Sequence, residues 1–265
     1  MPFNWLIETY KWYFLTNRTQ FITYYKSLQS ILLGVLFSIF SPNRIGELGG
    51  RLVFIKKEHL LSVFYSNLMC SVSQLFVTII VGLSAFFFFN NDLLDYLPID
   101  SILIKFIAVV FILLSLITFF YSNLLMRILL FFSKTVQLVS KQDLQIFSTK
   151  TRLQTIGLSM LRYFVFTYQF YLAFSIFDIN LTWYIIFAGI ALVFFITALI
   201  PTAWISDLPV RGSVAYLVFD QLGGYGMEAL VSSLILWLIN LFFPAIMGLL
   251  VLPKVNWLKI KKLKF

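Results

Sequence analysis

Four long stretches without a charged residue constrain the fold of this chain more than any other feature of its sequence. Each reaches or exceeds the roughly 20 apolar residues that an α-helix needs to cross a bilayer. The stretches are Leu60–Phe89, Phe106–Met126, Ile179–Ser206 and Ala229–Pro253. Only 12% of the 265 residues are charged, which is about half the share in ordinary soluble domains. The sequence therefore predicts an all-α, polytopic transmembrane helical bundle.

Two helix-breaking segments that carry charged residues interrupt the apolar sequence. The first is Ser41-Pro42-Asn43-Arg44-Ile45-Gly46-Glu47, and the second, Pro209-Val210-Arg211-Gly212, lies in the other half of the chain. Charged residues beside broken helices in membrane proteins usually line a protected cavity that handles a polar ligand. We therefore predict structural breaks in corresponding places of two halves of the chain, at Pro42, Gly46, Pro209 and Gly212.

The charges of the loops predict how the helices are arranged. Loop 133–152, region 44–57 and the lysine-rich tail 254–265 are basic and belong on the cytoplasmic side, while the acidic loop 90–101 belongs outside. If every apolar run crossed fully, the tail would lie outside. A re-entrant hairpin over 183–222, mirrored by another over about 20–58, removes this conflict, although residues 183–200 are long enough to cross alone. The prediction is one multi-pass domain over 1–265, with about six to seven hydrophobic helices in two inverted repeats.

The N-terminal segment Phe3–Leu15 predicts a helix with aromatic residues over most of its surface. Glu8 and Lys11 are three residues apart on this helix and can form an ion pair. Trp5 and Trp12 are typical of helices at the level of the membrane interface. The sequence therefore predicts an interfacial position for this helix.

Six charged residues are candidates for a substrate path: Arg44, Glu47, Arg51, Arg162, Asp207 and Arg211. Arg44 is predicted to bind a lipid phosphate, because guanidinium matches phosphate geometry, with Glu47 holding it or accepting an ammonium group. Arg162 lies inside an apolar run and needs a cavity or a partner, for which Glu47, Asp207 and Asp220 are candidates. We expect Arg44, Glu47 and Arg162 to line one hydrated cavity. The alternatives are that Arg44 marks a cytoplasmic loop, that Arg162 snorkels to the interface, and that Asp207 and Arg211 are surface charges.

Several kinds of chemistry find no support in the sequence. Cys70 and His59 are the single cysteine and the single histidine, too few for an ordinary protein metal site. Neither a hydrolase signature nor a Walker A sequence is present, so we expect no catalytic residue, no metal, no cofactor and no use of ATP. The net charge of +9 resides in loops and the tail, which favours anionic or phosphate-bearing membrane lipids over nucleic acid as partners. The sequence leaves association into a homo-oligomer open.

Some of these charged residues belong to a pattern that resembles a known family. The run Asn4-Trp5…Glu8…Lys11-Trp12 and the segment Phe37–Arg51 resemble Bacteroidetes-type members of the flippase-like family, also described as the lysylphosphatidylglycerol synthase transmembrane region. Segments Leu208–Gly212 and Gly223–Gly226 and the last span agree with this resemblance. It implies a polytopic inner-membrane protein. The best-known members of the family translocate an aminoacylated phospholipid and carry a large aminoacyl-transferase domain after the membrane part.

Two departures from the family pattern qualify what the resemblance implies. The sequence stops at Phe265, so we expect no aminoacyl-transferase domain and no synthesis of lysyl-lipid, and it starts inside the pattern, so we expect the family's first helix to be missing. The first interpretation is translocation of a lipid, or of a lipid-linked polar headgroup, across the bacterial inner membrane. The alternatives are a membrane-embedded enzyme acting on a lipid, with Glu47 and Asp207 as the plausible carboxylate pair, and a non-catalytic membrane subunit.

Overall fold

The computed structural model describes residues 1–41, 45–88, 147–200 and 204–254, with the isolated positions 110 and 113, and its regular structure is helical throughout. The α-helices are α1 (Pro2–Thr16), α2 (Tyr24–Ile39), α3 (Ile45–Leu52), α4 (Leu60–Phe88), α5 (Thr149–Phe174), α6 (Trp183–Leu199), α7 (Trp204–Gly223), α8 (Gly226–Trp237) and α9 (Phe243–Val251). Short 3₁₀ turns occupy Lys57–His59 and Leu252–Lys254, and a π-helical turn, Leu238–Phe242, joins α8 to α9. The prediction of an all-α fold is confirmed.

Two helical stretches are long and apolar enough to cross a membrane, Ser62–Phe86 in α4 and Gly226–Val251, which runs through α8, the π turn and α9. These stretches correspond to two of the four charge-free runs. Helix α6 is equally apolar but has only 17 residues. The predicted span at 102–132, the loop 90–101 and the tail beyond Lys254 lie outside the described residues.

The predicted breaks at Pro209 and Gly212 are wrong, because both residues lie inside α7. Proline lacks the N–H that would bond the carbonyl four residues earlier, and for Pro209 that carbonyl belongs to Ile205 in the first turn of the helix. The helix therefore loses one bond next to its start and continues. The helix is interrupted instead at the glycine-rich segment Gly223–Gly226: α7 ends at Gly223, and Gly224 adopts a φ of 77°, in the left-handed region that glycine tolerates.

Helices α2 and α3 form a tight hairpin whose backbones touch at glycines. A Cβ atom on Gly50 would lie 2.2 Å from the backbone nitrogen of Gly34, and one on Gly46 would lie 2.2 Å from the carbonyl oxygen of Phe37. Gly46, which we predicted as part of a break, is therefore a contact residue in the first turn of α3. Pro42 and Arg44, in the connection between the two helices, lie outside the described residues.

The two long spans each pack closely against a helix of a hairpin. A Cβ atom on Gly82 of α4 would lie 2.2 Å from Cβ of Phe195 in α6. One on Gly248 of α9 would lie 2.5 Å from the carbonyl oxygen of Leu32 and 3.0 Å from Cβ of Leu36, both in α2. Each long span therefore has a glycine at its closest approach to another helix.

Two hydrophobic clusters follow the division of the chain into halves. One draws mainly on α1, α2 and α4 and includes Trp12, Leu15 and Met69. The other draws mainly on α5 to α8, where the rings of Phe174 and Phe219 lie 4.6 Å apart between centroids.

Candidate functional site

Helix α1 turns a polar face into the protein. Its buried residues include Asn4, Glu8 and Lys11, together with the rings of Trp5 and Trp12. The spacing of three and four residues places all of these on one side of an α-helix. The ion pair predicted between Glu8 and Lys11 is confirmed at 3.0 Å, and the structure buries both side chains inside the protein.

Glu8 is the centre of the charged cluster. Its carboxylate is only 2% exposed and receives three cations: Lys11 Nζ at 3.0 Å, Arg51 Nη2 at 2.7 Å and Arg162 Nη1 at 2.8 Å. The three partners come from α1, α3 and α5, so this single carboxylate joins elements that are distant in sequence. A carboxylate has about four acceptor positions, which allows it to accept all three donors.

Lys11 and Arg51 are buried on the inner side of the cluster. Lys11 Nζ also donates to Ser159 Oγ at 3.3 Å and to the carbonyl of Cys70 at 3.4 Å. Arg51 pairs with Glu47 as well as with Glu8, and its guanidinium lies 5.3 Å from the ring centroid of Trp12. These contacts compensate part of the loss of hydration that makes a buried charge costly, while Arg51 Nε and Nη1 are buried without a hydrogen-bond partner among the described residues.

Arg162 holds a fixed orientation at the outer side of the cluster. Its Nε donates to Asn4 Oδ1 at 2.8 Å and its Nη1 donates to Glu8 Oε2 at 2.8 Å. Asn4 is fixed in turn, because its Nδ2 donates to Oδ1 of Asn240 in the π turn at 2.9 Å. Two of the three guanidinium nitrogens are thus occupied, and Nη2 makes no hydrogen bond to any residue that the structure describes.

The charges of this cluster do not balance. Lys11, Arg51 and Arg162 contribute three positive charges, and Glu8 and Glu47 contribute two negative charges. The nearby pair Arg211–Asp207, with Nε and Oδ1 3.0 Å apart, adds no net charge. The described residues of the cluster therefore carry an excess of one positive charge in a largely buried position, which favours an anionic ligand.

Two cavities flank Arg162 and Arg211. The first, of about 100 Å³, has polar residues of both halves in its lining, among them Ser38, Glu47, Arg162, Arg211 and Asn240. The second, of about 200 Å³, shares Arg162 and Arg211 and adds Gln74, Thr78, Tyr163 and Thr197. The rings of Phe166 and Phe194 belong to both linings. The two arginines thus lie where the two cavities meet.

The structure brings together part of the predicted substrate path. Glu47, Arg162 and Arg211 line the first cavity, and Asp207 pairs with Arg211 beside it. Arg51 is buried behind the cavity rather than in its lining. The predicted partners of Arg162 were wrong, since its carboxylate partner is Glu8, and snorkelling is contradicted by a side chain only 16% exposed. Arg44 lies outside the described residues.

The two carboxylates that we considered for an enzyme, Glu47 and Asp207, are both paired with arginines. Glu47 is held by Arg51, and Asp207 is held by Arg211, so each acidic residue of the predicted pair has its own cation. Within the described ranges, no three His, Cys, Asp or Glu side chains come together to hold a metal ion.

The sequence interpretation missed four residues of the site, namely Glu8, Lys11, Asn4 and Asn240.

Comparison with protein-family models, with curated proteins and with solved structures finds no match for this chain. The chemistry of the site therefore has to be inferred from its own side chains and cavities.

Proposed function

We propose that this chain moves a lipid, or a lipid-linked polar headgroup, across the bacterial inner membrane, and that the anionic part of the headgroup passes Arg162 and Arg211. One observation carries this proposal: a largely buried cluster with an excess positive charge forms the wall between two cavities through Arg162. A phosphate group is the anion that best matches a guanidinium, because the two can form parallel charged hydrogen bonds.

The fixed orientation of Arg162 supports a role in binding. Asn4 and Glu8 hold Nε and Nη1, and the side chain lines both cavities while Nη2 makes no hydrogen bond to the described residues. Such a preoriented donor loses little conformational entropy when a ligand binds.

The resemblance to the flippase-like family gives independent support. The residues that carry the resemblance include Asn4, Glu8, Lys11 and Arg51, and these four side chains belong to the charged cluster. A pattern that resembles a lipid-translocating family thus coincides with the charged residues beside the cavities. The membership itself is part of the proposal.

The inverted-repeat arrangement also belongs to this proposal. Its support is that each long span packs a glycine closely against another helix, Gly82 against Phe195 of α6 and Gly248 against Leu32 and Leu36 of α2. In many transporters two such repeats enclose a site at the interface between them, and one repeat moves against the other. The cavities beside Arg162 and Arg211 draw residues from both halves of the chain, as such a site requires.

Replacement of Arg162 tests the proposal. In proteoliposomes that contain a headgroup-labelled phosphodiester lipid, we expect Arg162→Ala to reduce translocation about 10- to 150-fold, because one charged hydrogen bond is worth roughly 1.5–3 kcal/mol and the local positive charge is lost with it. Arg162→Lys keeps the charge but loses the planar fork, so we expect an intermediate rate.

The matched control is Arg18→Ala, since Arg18 is exposed and stacks on Phe14, with 5.0 Å from its guanidinium to the ring centroid. Thermal unfolding of each variant separates loss of function from loss of fold, and Arg211→Lys provides a second variant if Arg162→Ala does not fold. Translocation at the wild-type rate in folded Arg162→Ala would refute the proposal.

A further inference from the structure

The second cavity has a wall of uncharged polar side chains in addition to the two arginines, and nothing in the proposed function accounts for it. This wall carries Gln74 and Thr78 of α4 and Thr197 of α6. All three side chains are uncharged and can form hydrogen bonds. They lie in otherwise apolar helices, in which a polar residue usually bonds another helix or faces a cavity.

The hydrogen bonds within this wall leave it with acceptors. Gln74 Nε2 donates to the carbonyl of Ser159 at 3.5 Å, while Gln74 Oε1 is buried and has no hydrogen-bond partner in the described parts of the chain. The hydroxyl of Thr78 donates to the carbonyl of Gln74 at 3.0 Å, and that of Thr197 to the carbonyl of Val193 at 2.7 Å. Each hydroxyl has one proton to give, so its oxygen is left as an acceptor.

Hydrogen-bond acceptors in the lining of a cavity favour a ligand that has hydrogen-bond donors. Two common headgroup donors are the hydroxyl group and the ammonium group. No carboxylate occurs among the described residues that line the second cavity, and Arg162 and Arg211 face the same space. Two guanidinium groups repel an ammonium group, whereas they leave an uncharged hydroxyl unaffected. The electrostatics therefore favour hydroxyl donors.

We propose that the second cavity is a subsite for the uncharged, hydroxyl-bearing part of a headgroup, such as glycerol or a sugar alcohol, whose phosphodiester lies at Arg162 and Arg211. This inference rests on the proposed function for the position of the phosphate, and it adds the chemical class of the headgroup. Gln74 Oε1 then accepts a hydrogen bond from a ligand hydroxyl, and the threonine oxygens accept from its neighbours.

Three short-chain lipids with the same acyl groups provide the test. Phosphatidylglycerol carries hydroxyls, phosphatidylethanol is a phosphodiester of equal charge without them, and phosphatidylethanolamine carries an ammonium group. In calorimetric titrations of the full chain in detergent micelles, we expect phosphatidylglycerol to bind about ten-fold more tightly than phosphatidylethanol, since one or two net hydrogen bonds supply this difference. Phosphatidylethanolamine is expected to bind more weakly than phosphatidylglycerol.

The variant Gln74→Leu should remove most of the preference for phosphatidylglycerol and leave the affinity for phosphatidylethanol unchanged. Gln169→Leu is the matched control, because Gln169 Oε1 is also buried without a partner among the described residues but lines neither cavity. Water-soluble glycerophosphoglycerol distinguishes a free diester from a lipid as the ligand. An affinity equal to that of phosphatidylglycerol indicates a free diester, and a weaker affinity indicates that the lipid tails contribute to binding.

Equal binding of phosphatidylglycerol and phosphatidylethanol to the wild type would overturn the subsite, as would tightest binding of phosphatidylethanolamine or equal effects of Gln74→Leu and Gln169→Leu. The proposed function fails separately. If Arg162→Ala binds both phosphodiesters as tightly as the wild type does, the proposed phosphate site is wrong. If Arg162→Ala binds neither phosphodiester but the wild type binds the two equally, only the hydroxyl subsite is wrong.

Discussion

Glu8→Gln is expected to lower the free energy of unfolding by about 3–5 kcal/mol, the usual cost of removing one partner from a buried ion pair. Three cations lose their shared carboxylate, and they are not affected equally. Arg51 keeps Glu47 and Arg162 keeps Asn4, but the fully buried Lys11 keeps only a hydroxyl and a carbonyl. Chemical unfolding of the purified chain in micelles measures the effect.

The same substitution at an exposed site provides the control. Glu58 is exposed on the 3₁₀ turn before α4, so Glu58→Gln should change stability by no more than about 0.5 kcal/mol. A double variant, Glu8→Gln with Lys11→Met, should recover part of the loss, because it removes the buried cation that was left without a carboxylate. Wild-type stability of Glu8→Gln would show that the cluster is far more hydrated than its burial indicates.

Gly50→Ala should be the most disruptive change of a single methyl group, at about 3 kcal/mol or more, the upper end for overpacked cores. The new Cβ atom would lie 2.2 Å from the backbone nitrogen of Gly34 and 2.4 Å from the carbonyl carbon of Leu33. Backbone atoms cannot rotate away as a side chain can, so α3 has to move off α2. Arg51 follows Gly50 in the chain, and its contact with Glu8 should weaken at the same time.

Gly49→Ala is the natural comparison, since a Cβ atom there meets nothing within 4 Å. Alanine is a better helix former than glycine by up to about 1 kcal/mol, so this neighbouring substitution should raise stability slightly. The two variants differ by the position of one methyl group and are expected to change the stability in opposite directions. Thermal unfolding temperatures that fall equally for both would contradict the close contact of α2 with α3.

The sequence predicted the helical class and the positions of several helices for simple reasons. Long charge-free runs predict the two apolar spans, because only a helix satisfies the backbone of such a run in an apolar environment. The break after Gly223 was predictable since glycine is the residue that accepts a positive φ, and Gly224 does so at 77°. These are local properties of the chain, so they can be read from neighbouring residues.

The errors arose where distant residues decide the outcome. Glu8 meets Arg51 from 43 residues away and Arg162 from 154 residues away, and no local pattern shows that these helices are neighbours. The tryptophans of α1 led to the prediction of an interfacial level for this helix, and that prediction did not include the burial of Glu8 and Lys11. The polar spacing of Asn4, Glu8 and Lys11 between two tryptophans was the signal available for an inward face.

The error at Pro209 had a different origin. Proline disfavours the interior of a helix, but its cost depends on which carbonyl it leaves without a donor. Near the start of α7 that cost is small, and the helix continues to Gly223. Whether Pro209 breaks the helix therefore depended on its distance from the start of α7 more than on its being a proline.

The π turn Leu238–Phe242 sets the rotation of everything that follows it in the last span. A π turn contains about one residue more than an α turn, and one residue corresponds to a rotation of about 100° around the helix axis. Asn240 inside the turn reaches Asn4, while Gly248 beyond it lies against α2. With the turn regularised to α-helix, Asn240 and Gly248 could not both face their present neighbours. That single additional residue keeps the Asn4 contact and the glycine contact in phase along one helix.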